Sequence, residues 1–140
     1  MIRILAMNKF CPCGSTRPFH ECCELIINGK KEAATCEELM RSRYVAFTMA
    51  NVDYLMRSHH SETRQIKEIR SIKKWAESVQ WMGLVILNTQ AGEVNDEIGY
   101  VEFRALYLEA GQLQQIHEKS LFKRENHKWV YGSGVHFQEV

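Results

Sequence analysis

The apolar positions of this chain change their spacing near residue 80. Before it, Leu39, Met40, Tyr44 and Phe47, and then Tyr54 and Leu55, recur every three or four residues. That spacing predicts one helix to about residue 50 and a second, shorter one after it. Thr35 followed by Glu38 supplies the start signal of a capping box. In RQIKEIRSIKKWAESV, residues 64–79, Ile66, Ile69, Ile72 or Trp75, and Val79 mark an inward face of a third helix. Arg64, Lys67, Arg70, Lys73 and Lys74 crowd its outside. From Trp81 the period falls to two, and WMGLVILN, EIGYVEFRALYL, QLQQIHEKSLFK and KWVYGSGVHF read as four strands. AGEVNDE, GQ and RENH connect them as hairpins. Helices followed by a run of antiparallel strands predict an α+β domain, with the helices packed on one face of a curved sheet.

The first thirty residues follow neither period. They hold CPCGSTRPFHECC, residues 11–23, which places four of the chain's five cysteines within a short stretch. The chain therefore divides into a small cysteine module over 1–30 and an α+β domain over 31–140. The 18 Lys and Arg against 17 Asp and Glu argue against a protein that binds bulk nucleic-acid charge or an anionic membrane. No DNA-specific motif is present. The longest apolar run, MGLVILN, is too short for a bilayer, and MIRILAM lacks the length and cleavage site of a signal peptide. A cytoplasmic protein is expected, and Met7 serves equally well as its start.

A reducing compartment favours metal binding over disulfides for so dense a cluster. Adjacent Cys22 and Cys23 would pair only through a strained ring, and a Cys11 to Cys13 bridge is nearly as cramped. Two close pairs separated by eight residues suit a tetrahedral ion instead. Gly14 fits a tight turn around the first pair. Four thiolates favour Zn²⁺, with iron as the competitor; the alternative is four unligated core cysteines. The fifth, Cys36, lies one residue past the proposed helix cap. It is either a thiol activated by the helix terminus or a small buried side chain.

Cys11, Cys13, Gly14, Ser15, Cys22 and Cys23 resemble the SEC-C motif, a zinc-binding module of the SecA translocation motor and of many small bacterial proteins. Thr16 stands where that motif usually has a second glycine, and RPFHE replaces its lysine-rich middle. LMRSRYVAF (39–47), VDYLMRSHH (52–60), WMGL (81–84) and HEKSLFKRENHKWVY (117–131) extend the likeness to the YchJ family. In that family a SEC-C motif precedes a domain similar to nuclear transport factor 2. The resemblance implies a cone with a pocket between helices and sheet. Many members carry a further SEC-C motif after the last strand, and this sequence ends at HFQEV without one.

Alternation on the third strand puts Ile116, Glu118, Ser120 and Phe122 on one face, so a carboxylate sits among apolar neighbours. It is either a general acid or base with a shifted pKa, or the partner of an arginine such as Arg41, Arg43 or Arg104. His60 matches a histidine of the YchJ pattern and is the second catalytic candidate; a solvated loop histidine is the plainer reading. Tyr44, Trp81, Ser120 and Tyr131 are expected along the cavity wall. Two functions follow. One is a zinc-bearing adaptor whose four-cysteine knuckle meets a protein or ribonucleoprotein partner, with a cone that binds a ligand or partner and a homodimer through the sheet as a further option. The other is a small-molecule lyase, isomerase or hydrolase using Glu118 and His60, which lacks a nucleophile, oxyanion donor or cofactor motif.

Overall fold

The computed structural model describes residues 10–137; Met7 lies outside the described residues. A 3₁₀ turn at Phe19–Glu21 leads into the short helix α1, Cys23–Ile27. Helix α2, Cys36–Thr48, starts at Thr35, whose hydroxyl accepts the Glu38 amide at 3.2 Å. Glu38 Oε1 reaches back to the amide of Ala34 at 2.9 Å, one residue before the cap, so the capping box closes in a shifted form. Asn51 caps α3, Val52–Arg57, by accepting the Tyr54 amide. Helix α4, Ile69–Ser78, follows a 3₁₀ turn at Ile66–Glu68. Its inward residues are Ile72, Trp75, Ala76 and the following Val79, whereas Ile66 is 64% exposed. The 3₁₀ turn breaks the helical phase before α4 begins, which takes Ile66 off the inward face.

Four strands follow: β1 Gln80–Ala91, β2 Ile98–Glu109, β3 Gln112–Glu125 and β4 Lys128–His136. They form an antiparallel meander in the order β1-β2-β3-β4. Register shifts interrupt β1 against β2 between Trp81 and Gly83 and between Ile86 and Asn88, and β3 against β4 between Leu121 and Phe122. Bulges of this kind bend a sheet, and here they accompany its wrap around the helices. The inner face carries Val101, Phe103, Ala105, Phe122 and Trp129, all buried against Leu39, Met40, Val45 and Leu55. Tyr44, Phe47, Trp75, Trp81 and Tyr107 add an edge-to-face aromatic cluster beside them.

The cysteine segment joins this same core. Its four cysteines, Ile26 and Ile27 are buried in one continuous apolar cluster with the helices and sheet. Arg41 of α2 donates through Nη1 to the Cys13 carbonyl at 2.6 Å and through Nε to Glu37 at 2.9 Å. Arg57 of α3 reaches the Ile27 carbonyl, closing the end of α1. Cys36 is 1% exposed and fills a slot against Gly92 and Gly99, where an added Cβ would meet its sulfur. Burial raises its thiol pKa to about 11, so it packs as a small apolar side chain and is not an activated nucleophile.

Candidate metal centre and cone cavity

Cys11 and Cys13 flank a turn in which the Gly14 amide returns to the Cys11 carbonyl at 3.1 Å. Gly14 has φ +87°, a conformation open to glycine at little cost. The chain then runs through Thr16, also left-handed at φ +65°, and the Phe19–Glu21 turn delivers Cys22 and Cys23 to the other side. All four sulfurs lie within 4.8 Å of one another, and all four residues are buried. Cys13 and Cys22 are 3.7 Å apart and Cys22 and Cys23 3.9 Å. A tetrahedral ion with bonds of about 2.3 Å to sulfur sets neighbouring sulfurs about 3.8 Å apart. A disulfide would need about 2.05 Å.

The electrostatics also fit a cation. Hydrogen bonds from Cys11 and Cys23 push the Cys13 thiol strongly down, while the Cys11 thiol is raised to about 11, chiefly by its bond to Cys13. The Cys23 thiol is pushed far up by its bonds to Cys11 and Cys13. Four thiols this close share protons because they cannot all ionise alone, and a divalent ion removes that conflict. Ser15 Oγ lies 3.2 Å from Cys22 Sγ, and Arg41 holds the backbone of Cys13, so the sulfurs are positioned from outside the set.

The second concavity is the cone itself, a cavity of about 220 Å³ between helices and sheet. Glu118 and Ser120 enter it from β3, Tyr131 from β4, and Arg43 and His59 from the helical side. Glu118 is 6% exposed. Its Oε2 accepts from Ser120 Oγ at 2.6 Å and Tyr131 Oη at 2.9 Å, and its Oε1 meets His136 Nε2 at 3.2 Å. Hydroxyls and a histidine therefore hold the carboxylate, and no arginine side chain is bonded to it among the described residues. Arg41 is engaged at the metal centre. Arg104 lies opposite His117 in the strand register, on the other face of β2 from Phe103, the partner of Glu118. Arg43 approaches only through Tyr131, its guanidinium carbon 4.8 Å from the ring centre. Burial, then the Glu118 charge, drives the Tyr131 hydroxyl well above the phenol range, so it acts as a donor.

Two sequence expectations change here. His60 does not line the cavity: its backbone amide bonds the Tyr131 carbonyl, and its ring turns toward Glu62 and Glu125 at 3.8 and 3.9 Å. The neighbouring His59 lines it instead, edge-on to the Tyr131 ring at 5.0 Å with Nε2 bonded to Thr63. Burial and the charges of Arg43 and Arg64 lower the His59 pKa to about 4. The sequence singled out His60 alone, and which of the two adjacent histidines lines the cavity depends on how β4 pins residue 60. Tyr44 and Trp81 are not among the residues lining the cavity; they pack in the aromatic cluster, 5.9 Å from each other. Ser120 and Tyr131 line it. The sequence marks Arg43 only as a potential partner for Glu118, since a buried arginine without an adjacent carboxylate leaves no sequence signal.

A family model described as the YchJ middle NTF2-like domain matches residues 35–134. A UPF0225 protein of Geobacter sulfurreducens is 41% identical over 128 residues, 91% of this chain and 80% of the relative. The UPF0225 protein YchJ of Shigella dysenteriae is 35% identical over 129 residues, 92% of this chain and 84% of its own. Among solved structures, a SEC-C motif containing protein from Rhodopseudomonas palustris superposes with a TM-score of 0.82 at 28% identity. The match covers 92% of this chain and 99% of that one. A SEC-C motif containing protein from Psychrobacter arcticus, at 24% identity, shares the fold with a TM-score of 0.77 over 96% of this chain and 87% of its own.

Proposed function

The chain belongs to the YchJ family, also designated UPF0225, and from that membership and its four-thiol cluster we propose a zinc-dependent interaction protein. The carrying observation is the set of four buried sulfurs within 4.8 Å, spaced as a tetrahedral ion requires. Cys11, Cys13, Cys22 and Cys23 hold Zn²⁺, which fixes the segment from the cysteines to α1 against α2 and α3. A cytoplasmic location belongs with this reading, because reduced thiols are the ligands. No helix among the described residues is long and apolar enough to cross a membrane.

The partner is a protein or a ribonucleoprotein, and a groove beside the metal module supports this. It measures about 530 Å³ and runs between α1 and β4, with Lys31, Arg57, Arg64 and Lys128 on its walls against Glu32 and Glu125. A second copy of the chain meets the outer face of the sheet, where Val85, Val135 and Phe137 are 46%, 63% and 42% exposed. The enzyme reading loses ground because both oxygens of Glu118 are already engaged and His60 lies outside the cavity.

Elemental analysis of freshly reduced protein tests the metal, with about one zinc per chain expected. Four free reactive thiols and no metal would end the reading. Comparing partners recovered by the wild type and by the Cys22→Ser, Cys23→Ser double variant tests the adaptor role. A partner set indifferent to the change would detach interaction from the zinc module. Light scattering of the purified chain reports the homodimer; a monomer at high micromolar concentration removes it.

A further inference from the structure

We propose that the cone cavity binds a small organic carboxylate, with Arg43 as counter-charge and Met40, Phe47, Ile72 and Phe103 holding the ligand's apolar body. Arg43 is 7% exposed and is among the residues lining this cavity. Its hydrogen-bond and ring partners are all neutral, and the Glu118 carboxylate acts on it only through space. Nη1 donates to the Leu55 carbonyl at 2.9 Å and to Ser58 Oγ at 2.7 Å, and the guanidinium stands over the Tyr131 ring. The carboxylate in the same cavity is committed elsewhere, to Ser120, Tyr131 and His136.

Closing the end of α3 through the Leu55 carbonyl accounts for Nη1 alone. A guanidinium carries five N–H donors, so the edge formed by Nε and Nη2 lies outside these bonds. That edge has the geometry of a bidentate carboxylate contact. Burial lowers the Arg43 pKa only to about 10, so the group is cationic at neutral pH. A buried cation surrounded by dipoles, facing a cavity, is a site that an anion completes.

The cavity also selects among anions. It offers one cation, and Glu118 lines the same cavity, so a dianion such as a phosphate monoester meets about twice the repulsion from Glu118 that a monocarboxylate meets. Apolar side chains make up most of the lining, which favours a hydrocarbon body over a polar one. About 220 Å³ falls below the size range of drug-sized sites, and suits a ligand of roughly ten non-hydrogen atoms or fewer.

The test uses the full chain in its purified metal state, with the straight-chain carboxylates from acetate to octanoate and benzoate as probes. Each acid is paired with its neutral amide, and binding is followed by NMR and calorimetry at pH 7. At least one acid should bind, shift resonances of Phe47, Ile72 and Phe103, and exceed its amide by at least tenfold in affinity. Arg43→Gln should equalise acid and amide. Ile72→Trp, which fills the cavity and leaves Arg43 in place, should abolish both. The proposal fails if no acid in the series binds, if acid and amide bind alike to the wild type, or if binding survives Ile72→Trp. It also fails if the shifts map to the exposed Lys67, Arg70, Lys73 and Lys74. Should Arg43→Gln not fold, the wild-type acid-to-amide ratio and Ile72→Trp still decide.

Discussion

Glu118 is solvated inside the protein by two hydroxyls and the edge of a histidine. This arrangement sets the size of the mutational effect. In Glu118→Gln the amide oxygen still accepts from Ser120 and Tyr131, and no arginine is stranded, so the loss should be about 1–2 kcal/mol. A loss of about 3 kcal/mol or more in thermal or denaturant unfolding would mean that an ion pair with Arg43 dominates. Gly134 makes the arrangement possible, since an added Cβ would come within 1.9 Å of Glu118 Oε2. His59 gives a pH signature. Its folded pKa of about 4 lies below the ordinary value of 6.5, so the unfolded chain takes up the proton first as pH falls. Its contribution is complete above about pH 6.5 and is lost between about 6.5 and 4. With partial solvent screening the loss should be roughly 1–2 kcal/mol. Denaturant melts across this window should show that slope in the wild type and a shallower one in His59→Gln; equal slopes would remove His59 as the cause.

At the scale of the element, the turn between the cysteine pairs carries a local conflict. Thr16 is β-branched yet sits at φ +65°, a conformation that costs a non-glycine residue about 1–2 kcal/mol. Glycine removes most of that cost and loses some in chain entropy. Thr16→Gly should therefore stabilise the cysteine module by roughly 0.5–1 kcal/mol and slow metal loss to a competing chelator. Faster loss would show that the Thr16 hydroxyl, bonded to the Ser15 carbonyl, matters more to the turn than the backbone conformation does. Helix α4 illustrates the opposite case: its exposed Arg70, Lys73 and Lys74, with Lys67 of the preceding 3₁₀ turn, surround a face of Ile72, Trp75 and Ala76 that packing satisfies.

For the whole molecule, the decisive feature is the continuity of the core from the cysteines to the sheet. Ile26 and Ile27 share a buried cluster with Leu39 and Tyr54, and Arg41 and Arg57 bridge the two parts by hydrogen bonds. Removing the metal should therefore lower the melting temperature of the entire described body, with amide protection vanishing first over residues 11–27. A calorimetric trace in which the larger part melts at an unchanged temperature after chelation would show two independent units. Under the adaptor proposal, metal removal should then also disturb the groove between α1 and β4, which Ile26 of α1 helps to line.

Local pattern was enough to determine the three helices after residue 35, the four-stranded run, the cap at Thr35 and the thiol set at 11, 13, 22 and 23. Each depends on spacing within one turn, one strand or one short loop, and spacing is written in the sequence. What tertiary structure alone decided involves partners far apart in the chain. Glu118 finds Tyr131 and His136 because β3 and β4 pair in one register with a bulge at Leu121 and Phe122, whereas Ser120 was already on its face by alternation. His59 lines the cavity while His60 is buried beside it, toward Glu62 and Glu125, because the Tyr131 carbonyl takes the amide of residue 60 and the Ser58 carbonyl takes that of Tyr131. Tyr44 and Trp81 leave the cavity for an aromatic cluster assembled from α2, α4, β1 and β2. Arg43 is apolar-side by helical phase, and only the fold shows which groups surround its charge. Hydrogen-bond partners at such separations are selected by packing geometry, which residue order constrains but does not spell out.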